Sequence, residues 1–271
     1  MAKRKREWTE EKIARYQQQG KGMGEGAAYK PWLTIQDVPS SGRAHRIYGT
    51  KTNRIHHLLS DLERDYFYLL DWADNVVDIR EQFPLNREIT TRIAEEKSIS
   101  HPEDHTTKTP LVMTTDFLIT IRQESQTFVL ARTLKPSEQL ENPRTIEKFD
   151  IERVYWEEKG IDWAIITEKD LPVEICRNIG RFQSYKRIEQ PMLEIVEELF
   201  EYVRRRKGVL SRLFAQFEEE YALESGTALH CFKYLVASKL ITFDMKSPFS
   251  VRKEISYFTF VEVAHGQEWG A

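Results

Sequence analysis

The feature that most restricts how this chain can fold is a change of pattern at Pro172. Before it, short runs rich in β-branched and aromatic residues alternate with stretches of helical spacing; after it, four helical segments follow one another. Strands must share a sheet, while a run of helices buries its apolar stripes against itself, so the two stretches need separate cores. At 271 residues there is enough chain for both. The expectation is a mixed α/β domain over residues 1–170 and a mostly helical domain over 171–271.

Charge follows a second division. The net charge of −3 hides residues 1–60, which hold 12 Lys/Arg against 5 Asp/Glu, a balance of +7. Such a segment suits contact with phosphates, and equally suits a solvated arm. With 40% hydrophobic and 31% charged residues, the chain has the composition of a soluble globular protein. Cys176 and Cys231 stand far apart, which supports neither a disulfide framework nor a thiolate metal site. No apolar stretch approaches the roughly 18 residues of a membrane span. The start, MAKRKREWTEE, lacks the apolar segment of a signal peptide, and a cytoplasmic location without membrane contact is expected.

In the first domain, residues 7–19 read as a helix capped by Thr9 and stopped at Gly20, and GKGMGEG reads as a flexible connector rather than a phosphate loop, since no strand precedes it. From Ile55 to Asp74 apolar residues recur at helical spacing through Leu59, Leu62, Tyr66, Leu69, Leu70 and Ala73. Val76–Ile79, Leu111–Ile121 and Phe128–Leu134 read as strands, and Asn86 to Thr109 as a helix followed by a loop. PRTIEKFDIERVYWEEKG reads as a helix leading into a strand at 161–167. In the second domain, helices are expected over 173–185, 191–206, 209–220 and 226–238, followed by strands LITFDM and KEISYFTFVEV around a turn at Ser247-Pro248. Three helices and a terminal hairpin are the ingredients of a winged helix, with 226–238 in the recognition-helix position.

Chemistry concentrates on one hairpin. If Arg122 to Gln126 forms its turn, Asp116 comes nearly opposite residues 132–134, while Thr133 and Lys135 project to one face. A carboxylate that can hold Mg²⁺ and a cation beside a scissile phosphate are what phosphodiester hydrolysis needs, and the same pair also suits a cross-strand salt bridge. Glu63, beside the apolar stripe of the preceding helix, offers a second carboxylate. Ser60-Asp61-Leu62-Glu63 also fits a capping box, in which Glu63 would only bond backbone.

The ordered series PWLTIQDVPSSGR, HRIYGTKTNRIHHLLSDLE, VVDIREQFPL, MTTDFLIT, the strand ending LKP, and ERVYWEEKGIDWAIIT strongly resembles the TnsA family of transposon endonucleases. The resemblance implies a restriction-endonuclease-like N-terminal domain with a D…(E/Q)-x-K site and a winged-helix C-terminal domain. It implies Glu63 and Asp116 as metal ligands, Lys135 as the active-site lysine, and Mg²⁺ as cofactor, with Mn²⁺ able to substitute. It also implies double-stranded DNA at transposon ends as substrate, with a TnsB-like transposase and a TnsC-like AAA+ ATPase as partners. One position departs from the pattern: Thr133 stands where the family has Gln or Glu, and a hydroxyl is a weaker ligand. The Leu134 backbone carbonyl is a further donor to such a site. Glu81 is a nearby carboxylate, read as structural.

Arg54, His56 and His57 stand at the start of the expected helical stretch and suit either DNA-backbone contact or polar helix-start chemistry. His101 and His105 have i,i+4 spacing, but Pro102 makes a loop the better reading. Arg204 to Lys207 end a helix, where cations favour the dipole. Lys233, Lys239, Arg252 and Lys253 lie around the expected recognition helix and wing as DNA contacts, while Glu197-Glu198 and Glu218-Glu219-Glu220 favour a protein partner. Three functions follow: a nuclease working within a transposase assembly, a bridging subunit weakened by Thr133, or an autonomous nuclease.

Overall fold

The computed structural model describes residues 7–38 and 42–262. They divide into two compact units, Met1–Leu171 and Pro172–Ala271. No helix among the described residues is long and apolar enough to cross a membrane.

The first unit opens with α1 (Glu10–Gln18), whose N-cap Thr9 accepts from the amide of Lys12, as its spacing predicts. The glycine-rich segment behind it is an ordered loop rather than a flexible connector. Gly22 donates its amide to Lys30 O and lies so close to Pro84 that a Cβ would stand 2.2 Å from the proline ring, at a φ of +79° that only glycine adopts freely. A hairpin follows, β1 (His45–Gly49) antiparallel to β2 (Arg54–Leu58). Here the structure overturns the sequence expectation. The helix expected from Ile55 begins only at Asp61, because His56 and Leu58 point inward and Ile55 and His57 outward, a two-residue period hidden under the helical spacing that follows.

That helix, α2 (Asp61–Trp72), leads into β3 (Val76–Pro84), five residues longer than expected, then α3 (Arg87–Glu96), β4 (Thr114–Gln123) and β5 (Gln126–Leu134). Helix α4 (Pro143–Glu157) crosses to β6 (Asp162–Ile166), which pairs parallel with β5. The four-stranded sheet runs β3-β4-β5-β6, antiparallel except for its last pair. Each face has its own core. Phe67 and Leu70 of α2 pack with Ile79, Phe117, Ile119 and Leu134, whereas Ile151, Tyr155 and Trp156 of α4 pack with Leu118 and Ala131. Burying a side chain such as Phe67 stabilises by about 1.5–3 kcal/mol, so two such layers fix both helices on the sheet.

In the second unit, α5 (Val173–Phe182), α6 (Gln190–Arg204), α7 (Leu210–Glu220) and α8 (Thr227–Ala237) match the expected helices. The strands do not reach their expected lengths: β7 (Ile241–Thr242) and β8 (Thr259–Phe260) form two residue pairs, separated by a long loop. Aromatic packing diverts the chain, since Phe243, Phe249 and Phe258 turn onto one another and onto Phe182 and Phe232. Buried Asn178 of α5 fastens the loop, donating to Met245 O (2.9 Å) and Ser247 O (2.8 Å) and accepting from the Phe249 amide (3.1 Å). The expected tight turn at Ser247-Pro248 is part of this fastened loop.

Candidate active site

Three elements of the first unit converge on one end of its sheet. Ser60 caps α2, accepting from the Glu63 amide at 3.1 Å. The Glu63 carboxylate turns back to accept from the Leu59 amide (2.9 Å) and the Ser60 hydroxyl (2.9 Å). The capping role is therefore real, yet it places the buried carboxylate at the mouth of the site. On β4, the Phe117–Arg132 pairing brings Asp116 level with Thr133, and Asp116 accepts from the Leu134 amide at 2.7 Å. The turn consists of Glu124 and Ser125, inside the span read from the sequence.

Gln82, which sequence reasoning missed, links the two carboxylates. Its side-chain nitrogen lies 3.1 Å from Asp116 Oδ1 and 3.5 Å from Glu63 Oε2, while its oxygen accepts from Thr114 at 3.2 Å. It reaches them because its backbone is left-handed, φ +48°, at the point where β3 switches its side chains from the α2 core (Ile79) to the α4 core (Phe83). A non-glycine residue held there carries strain of about 1–3 kcal/mol, which the surrounding bonds must hold in place. Nothing in residue spacing signals such a conformation.

Glu63 and Asp116 thus lie within hydrogen-bonding range of one nitrogen, that of the Gln82 side chain. Burial first, and then the Asp116 charge, pushes the Glu63 carboxyl well above the ordinary carboxylate range. Asp116 is also raised by burial, an effect that the Leu134 amide, Gln82 and the charge of Lys135 only partly offset. Neither carboxylate has an ion-pair partner within 4 Å among the described residues. Two oxygen donors that are costly to ionise together and lack a cation suit a hard divalent metal. Lys135 follows directly on β5, its amide bonded to Ile166 O, and its ammonium makes no ion pair among the described residues.

Thr133 is not available as a weak ligand. Its hydroxyl donates to Glu152 of α4 and accepts from Trp163 Nε1 at 3.3 Å, so the group is spent inside the unit. Leu134 touches the site through its amide; its carbonyl as a donor remains an expectation. Glu152 was also missed, because a charged residue within a charged helix gives no sign of burial. It is 2% exposed and accepts from the hydroxyls of Thr115 (2.6 Å) and Thr133, neighbours of Asp116 and Lys135 on the two site strands. Burial drives its pKa up to about 7 despite those bonds, with Asp116 adding to the rise.

A carboxyl raised on folding stabilises below its unfolded value, near 4.5 here, and loses that contribution as pH rises through its folded value. In EDTA, wild-type protein should therefore lose stability between pH 4.5 and 7 relative to Glu152→Gln, by up to about 3 kcal/mol, read from melting curves of the two proteins. Parallel curves across that range would remove Glu152 from the titrating set.

Arg54 and His56 spend side-chain donors inside the unit. Both turn inward to the fully buried Glu81: Arg54 Nη1 donates to it at 2.8 Å, His56 Nδ1 lies 2.7 Å from it, and the His57 amide donates at 3.1 Å. Burial alone would raise Glu81, but His56 and Arg54 outweigh it and hold the carboxyl at about 2. Glu81 is thus structural, as read from the sequence. The His57 ring does line a surface pocket with Lys21, Lys30 and Arg54. His101 sits in a loop, bonded to Thr90 and Pro102, and among the described residues no group of three or more His, Cys, Asp or Glu side chains could hold a metal.

The arrangement defines a carboxylate-lysine site on a mixed sheet, followed by a helical unit, and sequence comparison gives the class. A model of the TnsA-like endonuclease N-terminal domain matches residues 73–168, and one of the TnsA endonuclease C-terminal domain matches residues 170–245. The chain belongs to the TnsA family of transposon endonucleases. It is 39% identical over 257 residues to the Transposon Tn7 transposition protein TnsA of Escherichia coli, covering 93% of each chain.

Proposed function

We propose that this protein is a metal-dependent endodeoxyribonuclease that cuts the 5′ ends of a transposon, acting in the cytoplasm with a TnsB-like transposase and a TnsC-like AAA+ ATPase. The observation that carries this reading is the convergence of Glu63 and Asp116 on one point beside the unpaired Lys135. The first unit is read as restriction-endonuclease-like and the second as a winged helix. Glu63 and Asp116, with the Leu134 carbonyl as a further donor, would hold a Mg²⁺ or Mn²⁺ ion, and such an ion would supply Lewis-acid stabilisation at the scissile phosphodiester.

The chain's own groups do the rest. Lys135 stabilises the charge that builds on the phosphate oxygens. Gln82 holds the two carboxylates in register. Glu152, through the Thr115 and Thr133 hydroxyls, positions the ends of β4 and β5 that carry Asp116 and Lys135. It is a positioning residue, because it touches neither metal nor substrate in this reading.

A second reading is favoured by one observation: Thr133 brings no carboxylate or amide oxygen to the site and its hydroxyl donates to Glu152, which fits a bridging subunit with weakened catalysis. Strand-specific cleavage of a transposon-end duplex, with the cognate transposase and ATPase present, separates the two. Lys135→Ala should slow 5′ cutting roughly 10²–10³-fold, and EDTA should stop it. Equal 5′ cutting by wild type and variant would leave the bridging reading, and 5′ cutting without any partner would indicate an autonomous nuclease.

A further inference from the structure

We propose that Gln82 is itself a ligand of the metal site, its side-chain carbonyl oxygen supplying the donor that position 133 does not. This rests on the reading of Glu63 and Asp116 as a metal centre. A hard cation such as Mg²⁺ takes an octahedral set of oxygens, and side-chain amide oxygens serve such ions alongside carboxylates. The two carboxylates have no third acid to help them: among the described residues no group of three or more His, Cys, Asp or Glu side chains could hold a metal. The family pattern places a Gln or Glu oxygen two residues before the lysine, where this chain has Thr133, whose hydroxyl donates to Glu152. Gln82 offers the missing amide oxygen from the neighbouring part of the sheet, on β3.

The hydrogen bonds show how. Asp116 spends Oδ2 on the Leu134 amide, and Glu63 spends Oε1 on the Ser60 hydroxyl. The other oxygen of each, Asp116 Oδ1 and Glu63 Oε2, is the one that the Gln82 nitrogen approaches, at 3.1 and 3.5 Å. A positively polarised NH₂ group and a cation compete for the same two oxygens, so an ion held by them displaces the nitrogen. A half-turn about the last side-chain bond exchanges nitrogen for oxygen at little cost, because that torsion is broad and two-fold. Thr114 permits the exchange: its hydroxyl donates to the Gln82 oxygen at 3.2 Å and can equally accept from the nitrogen. The bond to Thr114 is kept, and the carbonyl oxygen then faces the two carboxylates.

The backbone holds the side chain to this task. Gln82 is 2% exposed, and its left-handed conformation is gripped by the segment before β1. The Tyr29 hydroxyl donates to Glu81 O at 3.0 Å, and the Trp32 amide donates to Gln82 O at 3.2 Å. Tyr29 and Trp32 are themselves buried. Strained backbone of this kind persists where the surroundings over-determine it, and it gathers at positions that hold ligands.

The test is Mn²⁺ binding to the full chain without DNA, read from the electron paramagnetic resonance signal of the free ion. Gln82→Met, which has neither oxygen nor N–H donor, should weaken binding at least about tenfold. Gln82→Glu, which keeps the oxygen and loses the donor, should bind at least as tightly as wild type. Melting curves establish that each variant is folded. In wild type labelled with ¹³C at the glutamine side-chain carbonyl, the bound Mn²⁺ should show a ¹³C hyperfine coupling that is absent from Gln82→Met at saturating Mn²⁺. Mn²⁺ bound by wild type with no such coupling, or a Gln82→Glu variant weakened as much as Gln82→Met, would show that Gln82 only orients the carboxylates through its nitrogen, and overturns the proposal while leaving the metal centre standing. Wild type that binds Mn²⁺ no better than Asp116→Asn would remove the metal centre and this ligand together.

Discussion

Asp116→Asn should give a well-folded protein that has lost 5′-strand cutting by roughly a thousandfold or more, the scale expected when a charged group central to transition-state stabilisation is removed. The substitution keeps the shape and an oxygen that can still accept from the Leu134 amide, so the end of β5 stays in place. What disappears is one of two negative charges forced together in a poorly solvated site. Because folding raises the Asp116 pKa, its contribution is favourable below the ordinary aspartate value and lost as pH rises through the folded value. At pH 8 in EDTA the asparagine variant should therefore melt higher than wild type, and the gap should close as the pH falls toward 4. Mg²⁺ should raise the wild-type melting temperature and leave the variant's almost unchanged. A variant that melts lower than wild type at pH 8 in EDTA would mean that Asp116 is held for stability rather than for an ion.

The second large effect concerns folding alone. Glu81→Ala strips the anion from a buried cluster in which Arg54 and His56 both face inward. Removing one member of a buried ion pair costs about 3–5 kcal/mol, because the remaining charge has neither partner nor water. For a domain of this size that is a fall in melting temperature of roughly 10 °C. Arg92→Ala, which breaks exposed pairs with Glu96 and Glu158, should cost under about 1 kcal/mol. Similar losses in the two variants would show that the Glu81 cluster is far more hydrated than its burial indicates.

The sequence made the placement of Asp116 opposite residues 132–134 legible because a hairpin's register follows from its turn, and Glu124-Ser125 lies inside the span read as one. Glu63 was legible only as a choice between cap and ligand, and its carboxylate does hold the backbone cap while facing Asp116. Hairpin β1–β2 was hidden because the inward His56 and Leu58 continue smoothly into the helical spacing of α2. Gln82 and Glu152 were out of reach for a different reason. One depends on a single left-handed backbone angle and the other on where α4 meets the sheet, and both are settled by tertiary packing. In the second unit the helices were clear from their apolar spacing, whereas the strands yielded to aromatic contacts that no alternation records.

The double duty of Glu63 bears on how such a protein can decay. A lineage that drifts away from cutting can replace Asp116 with asparagine and keep the Leu134 bond, and on the prediction above its fold should not suffer. It cannot discard Glu63 as freely, since the Leu59 amide and the Ser60 hydroxyl at the start of α2 both depend on that side chain. Among inactive descendants, the glutamate should thus outlive the aspartate, kept by its helix long after the chemistry it served has gone.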